Sequence, residues 1–404
     1  MTDYLFLLEN HVDASQARVL SAMECLAAKA VTGLWLTGGA VRDLLCSVPI
    51  RDFDFTVERG GPALGLALAE EVGGNILAQD PLARWVELSL AGGISVSVSN
   101  ARTEVRSQPG GTPVIAPAMI HEDLRRRDFT INAIAISLGR RSRGLMVDPL
   151  NGESDIANRE LRTCGSECFF DDPARIFRMI RFKHALGFEF ATRTATRLET
   201  AIGEEWHRLV GPRFVAHEFL SMSLHPAAAA MVAELDSLGL MSLIHPALTG
   251  DALDLPGVAR FGETARQYLP PGSTGALAFL SVLLDRLDPA ERAAASAACG
   301  LSPADQTRWD GFGTRVAELE SKIGPSPKSP FEIWEALDSA SPDEIAALLF
   351  RNSFPELAER IAAFYDIYQP EALDALGAGG PVATAERARI VAARFAKSDF
   401  PSTS

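Results

Sequence analysis

Nothing in the 404 residues stays apolar for the roughly 18 positions that a membrane span requires, so no membrane partner is expected. The chain begins Met-Thr-Asp-Tyr-Leu-Phe-Leu-Leu-Glu-Asn, without the basic start of a signal peptide, and a cytoplasmic location is the expectation. Cysteine is scarce and odd in number. Cys25, Cys46, Cys164, Cys168 and Cys299 have no repeated metal-ligand spacing, which argues against both a disulfide framework and a zinc site. Cys164 and Cys168 are spaced to meet on a helix, but Gly165 intervenes and no histidine lies close by. Excess positive charge is lacking too. A net charge of −14 excludes a protein coated in positive potential. Residues 101–220 are the exception: they hold 18 Arg/Lys against 16 Asp/Glu, a balance of +2, which leaves −16 on the other 284 residues. Any nucleic-acid contact is therefore expected in the middle of the chain. No repeat period stands out, and the length predicts two to four domains.

What the chain does contain is concentrated between Leu36 and Glu58: Leu-Thr-Gly-Gly-Ala-Val-Arg-Asp-Leu-Leu, six residues, then Asp-Phe-Asp-Phe-Thr-Val-Glu. An apolar strand ends at Gly38-Gly39, a helix begins, and a second strand carries Asp52 and Asp54. The period of two in a strand points both carboxylates to one face and sends Phe53 and Phe55 to the core. Without a Cβ, Gly38 and Gly39 let backbone N–H groups approach phosphate oxygens at a helix start, where the dipole favours negative charge. Paired hard oxygen ligands suit Mg²⁺, and in two-metal phosphoryl transfer the ions sit roughly 3.5–4 Å apart. Alone, a Gly-Gly turn or an Asp-x-Asp strand is explained by structure; together at this spacing they suit a metal-bound triphosphate.

This stretch resembles the signature of the DNA polymerase beta-like nucleotidyltransferases, and specifically of the class II tRNA nucleotidyltransferase and bacterial poly(A) polymerase family. The resemblance covers residues 30–215, and the helical remainder only in character. Arg102-Thr103-Glu104 and the turn-rich Gln108–Pro113 are similar to the family's Arg-Thr-Glu motif and adjoining flexible loop. Ser97 stands where many relatives place a third acidic residue. The block Arg126-Arg127-Asp128-Phe129-Thr130-Ile131-Asn132-Ala133, read as a basic turn before an amphipathic helix, matches a family motif almost residue for residue. The resemblance implies that Arg127 and Asp128 hold the ribose and phosphates of the incoming nucleotide, with Asn132 a structural amide. Val147–Gly152 is similar to the family's segment linking head to neck, and a hinge is expected there.

A third block is Asp171-Asp172-Pro173-Ala174-Arg175-Ile176-Phe177-Arg178. Asp172 before Pro173 is a good helix start on capping grounds alone. Asp172 and Arg175 also share a helix face, with Arg178 one turn on. A carboxylate that only accepts and a guanidinium that only donates match the Watson–Crick edges of C and A and mismatch U and G. The family's motif has the same acidic-Asp-x-x-Arg form, with Asp171 where glutamate is usual. Near Gly211, Pro212 replaces the glutamate of the family's last motif in this region.

The expected fold is α+β: a nucleotidyltransferase head with a small mixed sheet and helices on one side (1–138), a helical neck carrying the base-reading helix (139–220), and a helical body and tail (221–404) with a linker near 323–330. Helices are expected over 227–240, 275–287, 289–299, 304–322, 330–337, 342–350, 355–368 and 383–396. The seven histidines form no His-Asp dyad in this region, so the phosphohydrolase domain of some relatives is not expected. The resemblance implies template-independent addition of C and/or A from CTP or ATP to the 3′ end of tRNA or a similar RNA, with release of pyrophosphate. Asp52 and Asp54 are the catalytic pair and the Mg²⁺ ligands; Gly38, Gly39 and Arg42 meet the triphosphate; Arg127, Asp128, Asp172, Arg175 and Arg178 complete the nucleotide site; Asp43 orients Arg42. A poly(A) polymerase or A-only enzyme shares these residues, and so does a catalytically weakened paralogue that binds nucleotide or RNA, a reading permitted by Ser97 and Pro212.

Overall fold

The computed structural model describes residues 4–268, 275–324, 330–351 and part of 357–364. The chain divides into two compact units, Met1–Val210 and Gly211–Ser404.

The first unit opens with α1 (Tyr4–His11) and α2 (Ala14–Lys29). Asp13 accepts from the N–H groups of Ser15 and Gln16, and the Gln16 side chain accepts from the Asp13 N–H, so two orphan donors at the start of α2 are satisfied reciprocally. Next come β1 (Leu34–Thr37), α3 (Gly38–Leu45), β2 (Asp52–Val57), α4 (Gly61–Val72), β3 (Gly74–Asp80), β4 (Trp85–Leu90) and β5 (Ile94–Asn100). Then follow β6 (Arg102–Val105), β7 (Val114–Pro117), α5 (Ile120–Arg125), β8 (Ala135–Ser137) and β9 (Met146–Val147). The main sheet has seven strands in the order β3-β4-β5-β2-β1-β8-β9. β2 and β5 pair in parallel and the other neighbours are antiparallel, so the sheet is mixed as expected.

Alternation gives this sheet two unlike faces. Phe53, Phe55 and Val57 of β2, Val86, Leu88 and Leu90 of β4, and Ile94, Val96 and Val98 of β5 are buried in one core with residues of α2, α3 and α4. Gly65 shows how closely α4 lies on that face: a Cβ there would sit 2.3 Å from Val86 Cγ1. The opposite positions are Trp85, Glu87 and Ser89 on β4, Ser95, Ser97 and Ser99 on β5, and Asp52 and Asp54 on β2. Apart from Trp85 these positions are polar, whereas at β1 and β8 the same face is apolar, Trp35 and Ala135 packing with Ile120 and Leu124 of α5.

One segment differs from its expected form. The helix expected after Arg127 is a 3-10 turn (Thr130–Asn132) and then β8. Ala135, Ile136 and Ser137 are buried without alternation, since the strand is covered on both faces, and such a run is not told from a helix by periodicity. The residues between β6 and β7 are tied down: Arg106 Nε donates to the Gly111 carbonyl and the Gly110 N–H to the Phe170 carbonyl. The Val147–Gly152 turn is likewise held, Asp148 accepting from the N–H groups of Gly152 and Glu153. The unit closes with α6 (Gly152–Asn158), β10 (Glu160–Leu161), α7 (Cys168–Asp171), α8 (Arg175–Leu186), β11 (Glu189–Phe190) and α9 (Thr192–Gly203). Cys164 lies outside any helix, and all five cysteines are free.

The second unit is helical: α10 (Pro212–Leu220), α11 (Ala228–Ser237), α12 (Leu255–Tyr268), α13 (Ala276–Leu283), α14 (Pro289–Ala298), α15 (Pro303–Trp309), α16 (Phe312–Ile323), α17 (Pro330–Asp338) and α18 (Pro342–Arg351). Its interior includes Met231, Phe261, Phe279, Leu280 and Leu348. Asp343 of α18 accepts from the N–H groups of Leu277 and Ala278 at the start of α13 and pairs with Arg308 at 2.7 Å. The helix expected over 304–322 is two helices, because Gly311 takes a left-handed conformation with φ 72°. α12 was not expected. The helices expected at 355–368 and 383–396 lie largely or wholly outside the described residues, as do residues 325–329 of the expected linker. Among the described residues no helix is long and apolar enough to cross a membrane.

Candidate active site

The candidate site lies on the polar face of the sheet in the first unit, where β1 runs into α3. Thr37 pairs with Asp54 across the β1–β2 ladder, and Ser97 pairs with Asp54 from the other side. Gly38, at φ +67°, makes the turn into α3 in a space that excludes a side chain. A Cβ there would stand 2.7 Å from Asp54 Oδ2 and 3.2 Å from Arg127 Nη1. The Gly39 N–H donates to Asp54 Oδ2 at 3.3 Å, and the Ser97 hydroxyl donates to Asp54 Oδ1 at 2.6 Å. The residue in the third acidic position thus orients Asp54 instead of adding charge.

Asp52 is exposed and has no hydrogen-bond or ion-pair partner among the described residues. Loss of water around its carboxylate, and then the charges of Asp54 and Asp43, push it above the ordinary aspartate range. A divalent cation would relieve that excess of negative charge, and two carboxylates on one strand face are the hard donors Mg²⁺ takes, so the pair fits the group. Among the described residues no three His, Cys, Asp or Glu side chains converge as a metal site.

The arginines are held in place before any ligand arrives. Arg42, one turn into α3, donates from Nε to Asp43 at 2.8 Å and from Nη1 to Asn132 Oδ1 at 2.9 Å, and lies 4.9 Å from the Phe182 ring centroid. Asp43 therefore orients Arg42, as expected. Arg127 donates to Thr37 Oγ1 at 3.0 Å, Thr56 Oγ1 at 3.1 Å and Asp123 Oδ2 at 3.0 Å. Asp123 is buried and also accepts from Arg126 at 2.7 Å; burial would raise its carboxyl, but Arg127 and Arg126 hold it below the usual range. Sequence reading passed over Asp123, although its place three and four residues before two arginines at a helix end was the available signal.

Asp128 is buried beside α8, at the other end of this network. Its Oδ1 accepts from the Phe129 N–H and from Asn132 Nδ2, and its Oδ2 pairs with Arg178 at 3.2 Å. Burial pushes its carboxyl up, yet Arg178 and Arg175 hold it below the usual range. Asn132 bridges Arg42 and Asp128, so an unbroken polar chain runs from the Gly-Gly turn to α8: Asp43, Arg42, Asn132, Asp128, Arg178.

Asp172 and Arg175 behave differently from each other. The Asp172 carboxylate accepts from the Ala174 N–H at 3.1 Å and keeps 38% of its side chain exposed. Arg175 is buried and turned inward, donating to the carbonyls of Cys168 and Arg126, with its Nε 3.7 Å from Asp172. Cys168 beside it is pushed up to about 12 by burial, a thiol kept neutral. The structure thus brings together Gly38, Gly39, Asp52 and Asp54 around one turn, joins Arg42, Arg127, Asp128 and Arg178 in one network, and sets Arg175 beneath Asp172.

Residues 34–162 match the family model described as Poly A polymerase head domain. An A-adding tRNA nucleotidyltransferase of Halalkalibacterium halodurans is 36% identical over 197 residues, covering 48% of this chain and 45% of that protein. A multifunctional CCA protein of Aliivibrio salmonicida is 33% identical over 226 residues, 51% of this chain and 52% of its own. The chain thus spans about half the length of these two relatives. A solved structure described as CCA-adding enzyme apo form II superposes with a TM-score of 0.60 at 20% identity, covering 96% of this chain and 94% of that one, so the fold is shared. The strand-turn-helix, the paired aspartates, Arg42, Arg127 and Asp128 all lie within residues 34–162, the span that is similar to the poly A polymerase head domain.

Proposed function

We propose that the chain is a template-independent RNA nucleotidyltransferase that adds C and/or A from CTP or ATP to the 3′ end of tRNA, releasing pyrophosphate. The observation that carries this is the Asp52/Asp54 pair set against the Gly38-Gly39 turn in a poly A polymerase head. Asp52 and Asp54 would hold Mg²⁺, which when bound activates an attacking hydroxyl and neutralises the leaving phosphates. Ser97 and the Gly39 N–H fix the rotamer of Asp54, so the ligand is pre-set at little entropic cost. The start of α3 offers its dipole to the triphosphate. Asp128 in its buried network positions Arg178 and Asn132 rather than meeting solvent. Asp172, half exposed at the start of α8, offers acceptor oxygens to an amino group of C or A.

A second reading, addition of A alone, is favoured by the relatives: proteins named A-adding tRNA nucleotidyltransferase from Halalkalibacterium halodurans, Geobacter sulfurreducens and Aquifex aeolicus match at 36%, 27% and 35% identity. One experiment separates the readings. The protein is incubated with tRNAs ending before the first C, after the second C, and after the final A, with each labelled ribonucleotide and Mg²⁺, and the products are sequenced. Extension of every truncated form supports C and A addition, and extension only of the form ending in the second C supports A addition. No incorporation in any arm refutes the enzyme.

A further inference from the structure

The polar face of the sheet carries one more carboxylate that the site as described does not use. Glu87 of β4 is paired with Ser97 of β5, which is itself paired with Asp54 of β2, so the three stand in one row across adjacent strands. They share a face, because Val86 and Leu88 on either side of Glu87 are wholly buried in the core. Glu87 is half-buried, and its carboxylate has no hydrogen bond or ion pair among the described residues. Around it the same face presents Ser89, Ser95 and Ser97, with Ala78 across the β3 ladder. The residue that stands between Glu87 and Asp54 in the row is the small Ser97, while Trp85 shares the face one pair further along β4. A half-buried carboxylate without an ion pair of its own, on the face that carries two others, adds negative charge that a bound cation would relieve.

Resting on the proposed metal-dependent transfer, we propose that Glu87 is a third acidic member of the cation site, reaching in from the outer strand across Ser97. Adjacent strands lie about 4.8 Å apart, so Glu87 starts two strand spacings from Asp54 and acts through water in the metal's shell. Mg²⁺ suits that role, because it keeps several of its waters when bound by one or two carboxylates. Glu87 is then a positioning residue: it orients metal-bound water and adds negative field at the ion without coordinating it.

The test is the affinity for Mn²⁺ alone, read by electron paramagnetic resonance on the full chain without nucleotide, together with the melting temperature in chelator. Glu87→Gln is expected to weaken Mn²⁺ binding about three- to tenfold and to raise the melting temperature in chelator, since it removes unpaired negative charge. Ser97→Glu placed in the Glu87→Gln background returns a carboxylate to the same row and is expected to restore much of the affinity. Asp52→Asn serves as the control for the underlying reading. If Asp52→Asn loses Mn²⁺ and Glu87→Gln binds it like the native protein, the metal site stands and the role of Glu87 is refuted. If neither changes Mn²⁺ binding, the metal reading itself fails. A lower melting temperature in chelator for Glu87→Gln also overturns the inference, because it makes Glu87 a structural strand residue.

Discussion

Gly38→Ala isolates the turn on which the site is built. At φ +67° an alanine sits in the left-handed region, which costs about 1–2 kcal/mol. The added Cβ also lands 2.7 Å from Asp54 Oδ2; ordinary contact begins at 3.4 Å, so the carboxylate must retreat by roughly 0.7 Å or the turn must open by as much. In a close-packed site, displacement of a reacting group by about 1 Å costs on the order of 100-fold in rate. The expected outcome is a fall in kcat of about 10- to 100-fold with a melting temperature about 2–8 °C lower. Gly39→Ala is the matched comparison, because a Cβ there meets nothing nearer than Arg42 Nη2 at 3.5 Å and the position has no positive φ. Its melting temperature should hold or rise, alanine being the better helix residue by about 0.5–1 kcal/mol, while KM for the nucleotide rises as the methyl group covers the helix start. Steady-state kinetics on a truncated tRNA and a melting curve supply both numbers. Equal effects of the two alanines, or a Gly38→Ala protein with native kcat, would refute the reasoning.

Three other substitutions probe the charges. Asp52→Asn should abolish transfer yet raise the melting temperature near neutral pH: the folded-state pKa lies above the unfolded one, so ionised Asp52 costs stability at high pH, and the gain should shrink as pH falls through the raised pKa and vanish below the ordinary aspartate value. Asp128→Asn should destabilise by about 1–3 kcal/mol, because it weakens the bonds that the buried carboxylate accepts from Arg178, Asn132 and the Phe129 N–H. Here the folded pKa is lowered, so the native advantage is present above about pH 4 and is lost as pH falls through the folded pKa; denaturant melts across pH check both size and window. The structure makes Ala174, not Asp172, the cap of α8, and Asp172 accepts from the Ala174 N–H in the turn before it; Asp172→Asn should keep that bond at a cost below about 1 kcal/mol while discrimination against UTP and GTP falls, read as kcat/KM for the four ribonucleotides, and unchanged ratios leave Asp172 as a turn residue only.

How much of this was legible in the sequence depended on which physical signal each residue carries. The alternation of Val86, Leu88 and Leu90 against Trp85, Glu87 and Ser89 marks β4 from end to end, because only one face of that strand is covered. β8 hides its identity for the opposite reason, being buried on both faces. α12 begins Leu-Pro-Gly and holds a second glycine at 262, so its helical period is diluted by residues of low helix propensity. In the site, the period of two in β2 was enough to set Asp52 and Asp54 side by side. Side-chain direction was not legible in the same way. Spacing puts Asp172 and Arg175 on one helix face, but whether the guanidinium turns to solvent or to the carbonyls of Cys168 and Arg126 is decided by tertiary packing. Glu87 went unread because a lone glutamate in an alternating strand looks like any solvated position until the strand order places it in the row of Asp54.

The state of the arginines has a consequence for how nucleotide enters. Every nitrogen of the Arg127 guanidinium already donates, Nε and Nη2 to Asp123 and Nη1 to the Asn132 carbonyl, with Thr37 and Thr56 taking further bonds from Nη2. Arg42 is engaged by Asp43 through Nε and Nη2 and by Asn132 through Nη1. A free triphosphate meets only the hydrogens these bonds leave over, such as the second one on each Nη1, and it does so beside Asp52 and Asp54, which repel it. On the proposed reading, a divalent ion reverses that repulsion, so nucleotide should bind as its metal complex. ATP affinity measured by calorimetry in chelator should be at least about tenfold weaker than with Mg²⁺, and Asp52→Asn should narrow the difference by removing both the repulsion and the ion. Equal affinities with and without Mg²⁺ would mean that the arginines and the α3 start bind the triphosphate unaided, and that the paired aspartates serve the chemical step alone.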